Sequence, residues 1–383
     1  MRRDRGLPDR GRLGRGRWLH GDRDPVRGAV AARRPPRAAR LAGGARPDHA
    51  LHRPGRSRGL METPVLLAGY GPVGQAYAGL LREHRAAWRD RYGVDLRLVE
   101  VRGNRTRTSV GASGEVAPRE AWEPADDIAD ALARTGARVF AQAVPSDGGD
   151  RAAREALAAL ACGAHVVTAT KTHLLTEWHA LDRAARAAGR SVRVSGATGA
   201  AMPAGDLARS VLRGFDVRAV RGCLNGTATF VLDRLAERVP QAEAVARAQE
   251  LGIAEADVSA DLSGGDAATK MRLLAALLWG WDPARTEVSA EPVAERGVEP
   301  GHRLRHVASA EADRPGVVEV RLSAEPVTSP LGALTGPEKA VTYDCGEAGP
   351  VTVSGGRSSP RGAALAMVKD TLGAVLEGTA GFR

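Results

Sequence analysis

From residue 61 onward, short apolar runs alternate with segments in which apolar residues recur every three or four positions. Pro64–Ala68 is a continuous apolar run typical of a buried strand, and the helix predicted after it carries Tyr77 and Leu80 on one stripe. Similar runs predict strands at 95–101, 139–144, 165–169 and 192–194, with helical segments between them. Regular alternation of strands and helices predicts an α/β domain with a parallel sheet, which we place at residues 61–194.

The pattern changes after residue 195, where strand-like runs surround a long helical block instead of alternating with helices. The predicted strands of this part are Ala219–Leu224, Val317–Leu322, Ala340–Tyr343 and Val351–Val353. We therefore predict a second, mixed α/β domain over 195–354. The last segment, 355–383, contains a helix predicted at 362–377, and we expect it to pack back on the first domain.

A glycine-rich turn joins the first strand of the first domain to the first helix. It matches the pattern G-x-G-x-x-G, in which glycines let the backbone approach a pyrophosphate at a helix N-terminus. The residues predicted to bind the cofactor here are Gly69, Tyr70, Gly71, Pro72, Val73 and Gly74. This context predicts a Rossmann-type dinucleotide-binding domain, and the alternative is a merely tight strand-to-helix turn.

The end of the second strand bears on which dinucleotide is bound. An acidic residue there would hold a ribose 2′-hydroxyl, but the strand ends with Val101 followed by Arg102, Gly103, Asn104 and Arg105. Arg102 or Arg105 could meet a 2′-phosphate, so NADP is favoured and NAD stays open. The alternative is that both arginines are ordinary surface residues of an Arg-rich chain.

Lysine is rare in this chain: it supplies four of the 55 basic Lys and Arg residues, at Lys171, Lys270, Lys339 and Lys369. A lysine can give up its proton when its surroundings lower its pKa, whereas arginine stays charged. Lys171 follows a predicted strand at the edge of the sheet where ligands of open α/β sheets bind. Lys171 is therefore a candidate active-site residue.

Lys270 lies four residues after Asp266 on a predicted helix, on the same face as several leucines. An acid and a base on an apolar stripe near a cleft form a candidate proton-handling pair, and the alternative is a surface salt bridge. Glu255, Asp257 and Asp261 add carboxylates just upstream. Four acids near one lysine suit a substrate that carries an ammonium group, although an ordinary acidic loop would look similar.

The net charge of +10 is confined to the N-terminal segment. Residues 1–60 hold 17 Arg and five Asp, so the remainder of the chain is nearly neutral. The segment has no apolar period, and we expect a disordered extension or a start codon assigned too early, with Met61 as the true start. An arm that binds nucleic acid is the less favoured alternative. Three cysteines without C-x-x-C spacing and no long apolar run predict a soluble cytoplasmic protein without a membrane span.

Taken in order and spacing, these segments resemble the homoserine dehydrogenase family. The matching segments are the glycine turn, Val167–Lys171 for V-T-A-N-K, Leu224–Thr227 for L-N-G-T, Glu255–Asp257 for E-A-D, and Asp261–Lys270 for D-x-x-x-x-D-A-A-x-K. The resemblance implies interconversion of aspartate 4-semialdehyde and L-homoserine in threonine and methionine biosynthesis. It also implies a homodimer or a dimer of dimers.

The resemblance also implies roles for single residues. Lys270 would be the proton donor, Lys171 a second active-site lysine that also touches the cofactor, and Glu255 and Asp266 would bind the substrate. Asp266 joins the two lysines as a catalytic candidate, and Asp257 and Asp261 are further substrate candidates. Pro145 and Ser146 are expected to contact the cofactor.

Three departures from the family pattern qualify these expectations. Thr170 stands where Asn is usual, which leaves open another amino-acid semialdehyde as substrate. Backbone carbonyls of Thr198, Ala200 and Met202 would form a monovalent cation site, but the glutamate of that segment is Ser195 here, which argues against a bound cation. The late glycine loop reads Gly355–Gly362 in altered form, so its cofactor contacts are not carried over. We expect no C-terminal regulatory domain.

Overall fold

The computed structural model describes residues 59–146, 149–356, 358–378 and 380–382. Its first sheet has seven strands in the order β4-β3-β2-β1-β5-β6-β7. The strands are β1 Met61–Ala68, β2 Val94–Arg102, β3 Thr106–Ser109, β4 Glu123–Pro124, β5 Val139–Gln142, β6 His165–Thr168 and β7 Val192–Arg193. Five of them, β2, β1, β5, β6 and β7, run parallel, whereas β3 pairs antiparallel with β2 and β4 pairs antiparallel with β3.

Helices connect the strands of this sheet. They are α1 Pro72–Tyr92, α2 Ile128–Thr135, α3 Gly149–Ala161, α4 Thr172–Thr176 and α5 Trp178–Ala188. The second half of β1, Val65–Ala68, is fully buried because this apolar run packs against helices on both faces of the sheet. The carboxyl ends of β1, β5 and β6 therefore meet at one edge, where the glycine turn and Lys171 lie.

The second sheet has six strands in the order β13-β12-β8-β10-β11-β9 and is antiparallel except for the β11–β9 pair. Its strands are β8 Ala219–Cys223, β9 Glu287–Ala290, β10 His302–Glu311, β11 Val317–Pro326, β12 Ala340–Asp344 and β13 Pro350–Ser354. The helices of this part are α6 Ser195–Thr198, α7 Ala204–Asp206, α8 Gly226–Ala236, α9 Gln241–Glu250, α10 Ser259–Leu262 and α11 Gly265–Trp279.

The C-terminal segment returns to the first sheet. Helix α12, Pro360–Leu376, packs against α1, and Tyr77 of α1 shares a hydrogen bond of 2.7 Å with Thr371 of α12. Gly381 then forms a parallel bridge with Ser191, and the ring of Phe382 stacks on Trp178. The final helix thus packs against α1 and against β6 and β7 of the first sheet.

The α/β class with a Rossmann-type sheet and a second mixed sheet is confirmed. The largest apolar cluster among the described residues runs from the first sheet through α11 to the second sheet, and the described residues 59–382 belong to one compact unit. The division at residue 194 therefore stays a prediction. The expectation for residues 1–60 lies almost wholly outside the described residues. Within the described part, no helix is long and apolar enough to cross a membrane.

Strand β10 is the main element that the apolar pattern does not reveal. Arg303, Arg305 and His306 interrupt its apolar run, so it does not read as a strand. Arg305 is nevertheless buried at 1% exposure because its guanidinium donates to Asp233 Oδ1 at 2.9 Å and to main-chain carbonyls. A paired arginine can occupy a core position that the pattern reserves for apolar residues.

Candidate active site

The glycine turn between β1 and α1 has the shape of a pyrophosphate cradle. Gly69 has a φ of +94°, and a Cβ there would lie 2.3 Å from the Ala143 carbonyl oxygen. A Cβ on Gly74 would lie 2.1 Å from the Gly69 oxygen, so both positions require glycine for packing. Gly71 differs, because no atom lies within 4 Å of the place where its Cβ would be. The turn is therefore tight on the protein side and open beside Gly71.

The N-terminus of α1 faces this open space without a side-chain cap. Gly71 is the N-cap residue and Pro72 the first helical residue. Uncapped N–H groups at a helix N-terminus bind anions, since the helix dipole favours negative charge there. These residues fit the pyrophosphate of a dinucleotide. Tyr70, whose ring packs on Trp122, and Val73 lie within the same turn.

The two arginines at the end of β2 have different surroundings. The Arg102 side chain is only 3% exposed, and it donates to Glu100 Oε1 at 2.8 Å and Asp126 Oδ1 at 2.9 Å. Its charge is thus engaged by the buried carboxylate of Glu100 and the half-buried carboxylate of Asp126. Arg105 is exposed in the loop after β2, so Arg105 is the better placed of the two to meet a 2′-phosphate.

Arg151 is a residue near this loop that the sequence interpretation missed. It lies in α3 and donates to the carbonyl and side-chain oxygens of Asn104, with a longer bond of 3.4 Å to the Gly103 oxygen. Nothing in the local sequence distinguishes it from other helix arginines. The fold alone brings it beside the loop that follows β2.

Three residues far apart in the sequence form the centre of the candidate site. Asp266, in the first turn of α11, accepts a hydrogen bond of 2.8 Å from Lys171 Nζ and one of 2.5 Å from Lys270 Nζ. Lys270 Nζ also donates to the Leu224 carbonyl at 3.0 Å. The exposed fractions of the side chains are 31% for Lys171, 11% for Asp266 and 16% for Lys270. The site is thus half-enclosed but reachable from solvent.

The charge state of Asp266 follows from this arrangement. Burial alone would raise its pKa, but the ammonium groups of Lys270 and Lys171 outweigh burial and hold the pKa well below the usual value of 3.8. Asp266 is therefore ionised at neutral pH. It fixes both lysines in place as a shared counter-ion.

Asn225 is a second residue that sequence reasoning missed. Its Nδ2 donates to Asp266 Oδ2 at 2.9 Å and to Asp261 Oδ1 at 2.6 Å, and its Oδ1 caps α8 by accepting from the Ala228 N–H at 2.9 Å. The sequence could have indicated this residue, because Asn225 lies in Leu224–Thr227, one of the segments that resemble the homoserine dehydrogenase family. Asn225 connects the Asp261 carboxylate to the lysine–aspartate centre.

The other predicted substrate carboxylates lie on the loop before α10. Glu255 is exposed, and its main-chain oxygen accepts from Gln249 Nε2 at 3.0 Å. Asp257 is also exposed, and it accepts from the Ser259 N–H at 2.9 Å, a bond that lowers its pKa. Among the described residues, neither side chain contacts the Asp266 centre directly. Of Glu255, Asp257 and Asp261, only Asp261 is linked to this centre, through Asn225.

The loops after β5 and β6 are tied together beside Lys171. Thr170 Oγ1 donates to the Val144 carbonyl at 2.9 Å and accepts from the Val144 N–H at 3.1 Å. Ser146 and Pro145 are exposed, and Ser146 Oγ accepts a hydrogen bond of 3.5 Å from the main-chain N–H of Lys171. The predicted cofactor residues of these loops therefore lie next to the lysine–aspartate centre.

A third lysine, Lys339, also comes close to this centre. It immediately precedes β12, and because Ala340 pairs with Cys223, Lys339 lies next to Leu224 across the sheet. Its Nζ donates to the Gly199 carbonyl at 3.2 Å, and the residue is 2% exposed. Burial, with repulsion from Lys270, lowers the pKa of Lys339 to about 8. The sequence singled out this lysine as rare but assigned it no role.

The carbonyls expected to hold a monovalent cation lie in the segment that follows β7, and their binding of a cation stays a prediction. The Met202 oxygen already accepts the Ala204 N–H at 2.8 Å, and Ala200 has a φ of +53°. Thr198 ends the short helix α6, with its Oγ1 bonded to carbonyls of its own turn. Within the described chain, no group of three or more His, Cys, Asp or Glu side chains could hold a metal ion.

A dinucleotide cradle beside a lysine–carboxylate centre defines the class of NAD(P)-dependent oxidoreductases. The model of the family described as homoserine dehydrogenase matches residues 203–372. Homoserine dehydrogenase of Corynebacterium glutamicum is 30% identical over 325 residues, covering 81% of this chain and 71% of that protein. NAD(+)-dependent homoserine dehydrogenase of Pseudomonas canavaninivorans is 27% identical over 339 residues, covering 82% of this chain and 96% of that protein.

The fold agrees with these sequence relationships. The structure of a hyperthermophilic archaeal homoserine dehydrogenase in complex with NADPH matches with a TM-score of 0.72 at 20% identity, covering 84% of this chain and all of that one. This chain belongs to the homoserine dehydrogenase family. The family and the NAD(P) cofactor class predicted from the sequence are thereby confirmed.

Proposed function

We propose that this protein catalyses the NAD(P)-dependent interconversion of L-aspartate 4-semialdehyde and L-homoserine. The observation that carries the proposal is the Lys171–Asp266–Lys270 centre, with its hydrogen bonds of 2.8 and 2.5 Å, in a chain of this family. Reduction of an aldehyde needs a proton at the oxygen as a hydride reaches the carbon. NAD(P)H, when bound, supplies that hydride.

Lys270 is the proposed proton donor. A lysine ammonium has three N–H groups, and two of those on Lys270 are directed to Asp266 and to the Leu224 carbonyl. Its third N–H has no acceptor within the described residues. That proton is available to the oxygen of a bound aldehyde, and the two fixed bonds hold the ammonium in position.

Lys171 is proposed to stabilise the developing alkoxide. Its ammonium makes one hydrogen bond, to Asp266 Oδ1, so two N–H groups of that ammonium have no acceptor in the part of the chain that the structure describes. A preorganised donor aimed at developing charge lowers the barrier because it needs no reorganisation during the reaction. Asn225 keeps the Asp266 carboxylate aligned between the two lysines.

The carboxylates upstream of α11 are proposed to bind the substrate ammonium. Asp261 is joined to the centre through Asn225, whereas Glu255 and Asp257 lie on the adjoining exposed loop. The proposal requires the Glu255 loop to approach the substrate when it binds. An acidic group of this kind discriminates an amino-acid semialdehyde from a simple aldehyde.

We further propose the arrangement of the whole protein. Residues 61–194 with 355–383 bind the dinucleotide on Gly69–Gly74, and 195–354 bind the substrate and form the contacts of a homodimer or a dimer of dimers. We place the enzyme in the cytoplasm. The packing of α12 against α1 supports the assignment of 355–383 to the dinucleotide-binding part.

A substrate panel tests the proposed function. The purified protein is assayed with NADPH and NADH against L-aspartate 4-semialdehyde, other amino-acid semialdehydes, and the corresponding aldehyde without an amino group. We expect the highest kcat/KM with L-aspartate 4-semialdehyde. A clear preference for another semialdehyde would refute the substrate assignment while leaving the oxidoreductase class intact.

A further inference from the structure

The second part of the chain contains a cavity of about 660 Å³ that is separate from the active site. It is lined by the C-terminal half of α8, the loop before β10, the first residues of β10, and Thr335 with Gly336. At a rise of about 1.5 Å per residue, Arg234 in this lining lies about 13 Å along α8 from Asn225, which contacts Asp266. None of the described residues of the Asp266 centre lines the cavity.

Five arginines lie among the residues that line this cavity, and three of them are paired with carboxylates. The pairs are Arg305 with Asp233 at 2.9 Å, Arg234 with Glu237 at 2.7 Å, and Arg296 with Glu291. The charges of these three arginines are thus engaged within the protein.

The other two arginines, Arg238 and Arg303, have no carboxylate partner among the described residues. Arg303 is half-buried, and its Nη1 donates to main-chain carbonyls, of which the Leu334 oxygen is the nearest at 3.0 Å. Its Nη2 and Nε have no acceptor in the described chain. Arg238 is exposed, and its side chain makes no hydrogen bond or ion pair there. Two arginines with uncompensated charge therefore line one cavity, together with one unpaired carboxylate, Glu295.

The backbone at Arg238 favours a functional reason for this arginine. Its φ is +63°, and among the described non-glycine residues only Ala200 also has a positive φ. Arg238 follows α8 in the position where glycine is usual, because its N–H returns to the Leu235 carbonyl at 2.9 Å and that of Val239 to the Arg234 carbonyl at 3.0 Å. Side chains disfavour this conformation, and strained residues of this kind cluster at ligand sites.

Apolar side chains form another part of the lining. Leu232, Leu235 and Leu304 belong to one apolar cluster, and Val298 packs against it. The volume of the cavity lies in the range of small-molecule sites and exceeds what an inorganic anion fills. An occupant that matches this lining has both an anionic group and an aliphatic portion.

We propose that this cavity is a second ligand site, which binds a small phosphate monoester with an aliphatic portion through Arg238 and Arg303. A phosphate monoester carries about −1.5 to −2 charges near pH 7 and has three strong acceptor oxygens, so it can pair with two arginines at once. A carboxylate carries one charge, which a single arginine already matches. Glu295 opposes an anion in this cavity, so its removal strengthens the binding of phosphate.

Calorimetric titration of the full-length protein tests this site, with NADPH present to occupy the glycine turn. The probes are n-hexyl phosphate, hexanoate, 1-hexanol and inorganic phosphate at constant ionic strength. We expect one saturable site per chain for hexyl phosphate, and weaker binding of the other three probes. Because no semialdehyde is present, the result does not depend on the proposed function.

Variants at the cavity locate the binding. Arg238→Gly removes the guanidinium and relieves the positive φ, so it should weaken binding of hexyl phosphate roughly tenfold or more, with a melting temperature equal to or above that of wild type. Arg303→Lys keeps the charge but loses the planar fork and should also weaken binding, whereas Glu295→Gln should tighten it. Arg213→Ala, at an exposed arginine outside the lining, is the matched control and should bind as wild type does.

Three results would overturn the inference. The first is binding of hexyl phosphate that is absent or is equal in wild type and Arg238→Gly. The second is binding of hexanoate or 1-hexanol that is as tight as binding of hexyl phosphate, which would exclude phosphate as the recognised group. The third is a change of oligomeric state in Arg238→Gly without any probe, measured by sedimentation, which would assign the cavity to a contact between copies of this chain.

Discussion

Replacement of Lys270 separates catalysis from structural support at the centre of the site. Lys270→Arg keeps the positive charge and can still pair with Asp266, but guanidinium does not give up a proton near neutral pH. Lys270→Ala removes charge and donor together. If Lys270 delivers the proton, both variants lose kcat, whereas a structural ion pair is preserved by arginine.

The structure sets the size of each effect. General acid catalysis contributes roughly 10²–10⁴-fold, which corresponds to about 2.7–5.4 kcal/mol of activation free energy at 1.36 kcal/mol for each tenfold change. Breaking a buried ion pair costs about 3–5 kcal/mol when the remaining charge is left alone. Asp266 is not left alone, because Lys171 stays at 2.8 Å. We therefore expect a large loss of kcat with only a modest loss of stability.

The assay measures kcat, NADPH affinity and melting temperature for wild type, Lys270→Arg and Lys270→Ala. Lys369→Arg, a substitution at a lysine whose side chain is 46% exposed, is the matched control and should stay active. We expect NADPH affinity to be nearly unchanged in both Lys270 variants. An active Lys270→Arg enzyme, or a Lys270→Ala enzyme that melts early but turns over normally, would refute the proton-donor assignment.

Three further predictions test other parts of the account. A protein that starts at Met61 should keep the kcat/KM of the full chain, and a large loss would show that residues 1–60 contribute. Arg105→Ala should raise KM for NADPH more than for NADH, whereas Arg102→Ala should chiefly lower the melting temperature. A selective rise of KM for NADPH in Arg102→Ala but not in Arg105→Ala would contradict the placement of these arginines. The pKa of Asp266 is lower in the folded than in the unfolded protein, so its ionised form stabilises the fold above pH 3.8, and this contribution is lost as the pH falls. The difference in melting temperature between wild type and Asp266→Asn should therefore shrink below that pH. A constant difference would argue against this role of Asp266.

The apolar pattern predicted the first sheet well because its central strands are buried on both faces. The continuous run Pro64–Ala68 predicts an inner strand because a glycine turn follows it, and Val139–Val144 is apolar except for Gln142. Strands β3 and β4, at one end of the sheet, gave no such signal, since Thr106–Ser109 is polar and half-exposed and Glu123–Pro124 is exposed. Short strands of this kind are defined by pairing with their neighbours, which a single sequence does not show.

The site was predictable where a chemical constraint acts on the residue type itself. Scarce lysine singled out Lys171 and Lys270, and the i,i+4 spacing predicted the contact of Lys270 with Asp266. The contact of Lys171 with Asp266 joins residues 95 positions apart in the sequence and depends on how the sheets pack, so no local spacing predicts it. Asn225 is joined to the centre in the same way, from the segment that follows β8.

The surroundings of Arg102 show the limit of the same reasoning. The sequence offered it as a partner for a 2′-phosphate because it ends the second strand. Its guanidinium is instead enclosed by Glu100, two residues before it on the same strand, and by Asp126, which comes from the segment before α2. Only the folded chain shows that this charge is already neutralised.

Transfer of deuterium from labelled cofactor tests the central claim most directly. The enzyme is incubated with L-aspartate 4-semialdehyde and NADPH that carries deuterium at the transferred position of the nicotinamide, and the product is analysed by mass spectrometry and NMR. We predict L-homoserine with a single deuterium on the carbon that bears the new hydroxyl, and no labelled product from Lys270→Ala in the same time. Absence of labelled homoserine with the wild-type enzyme would contradict the account.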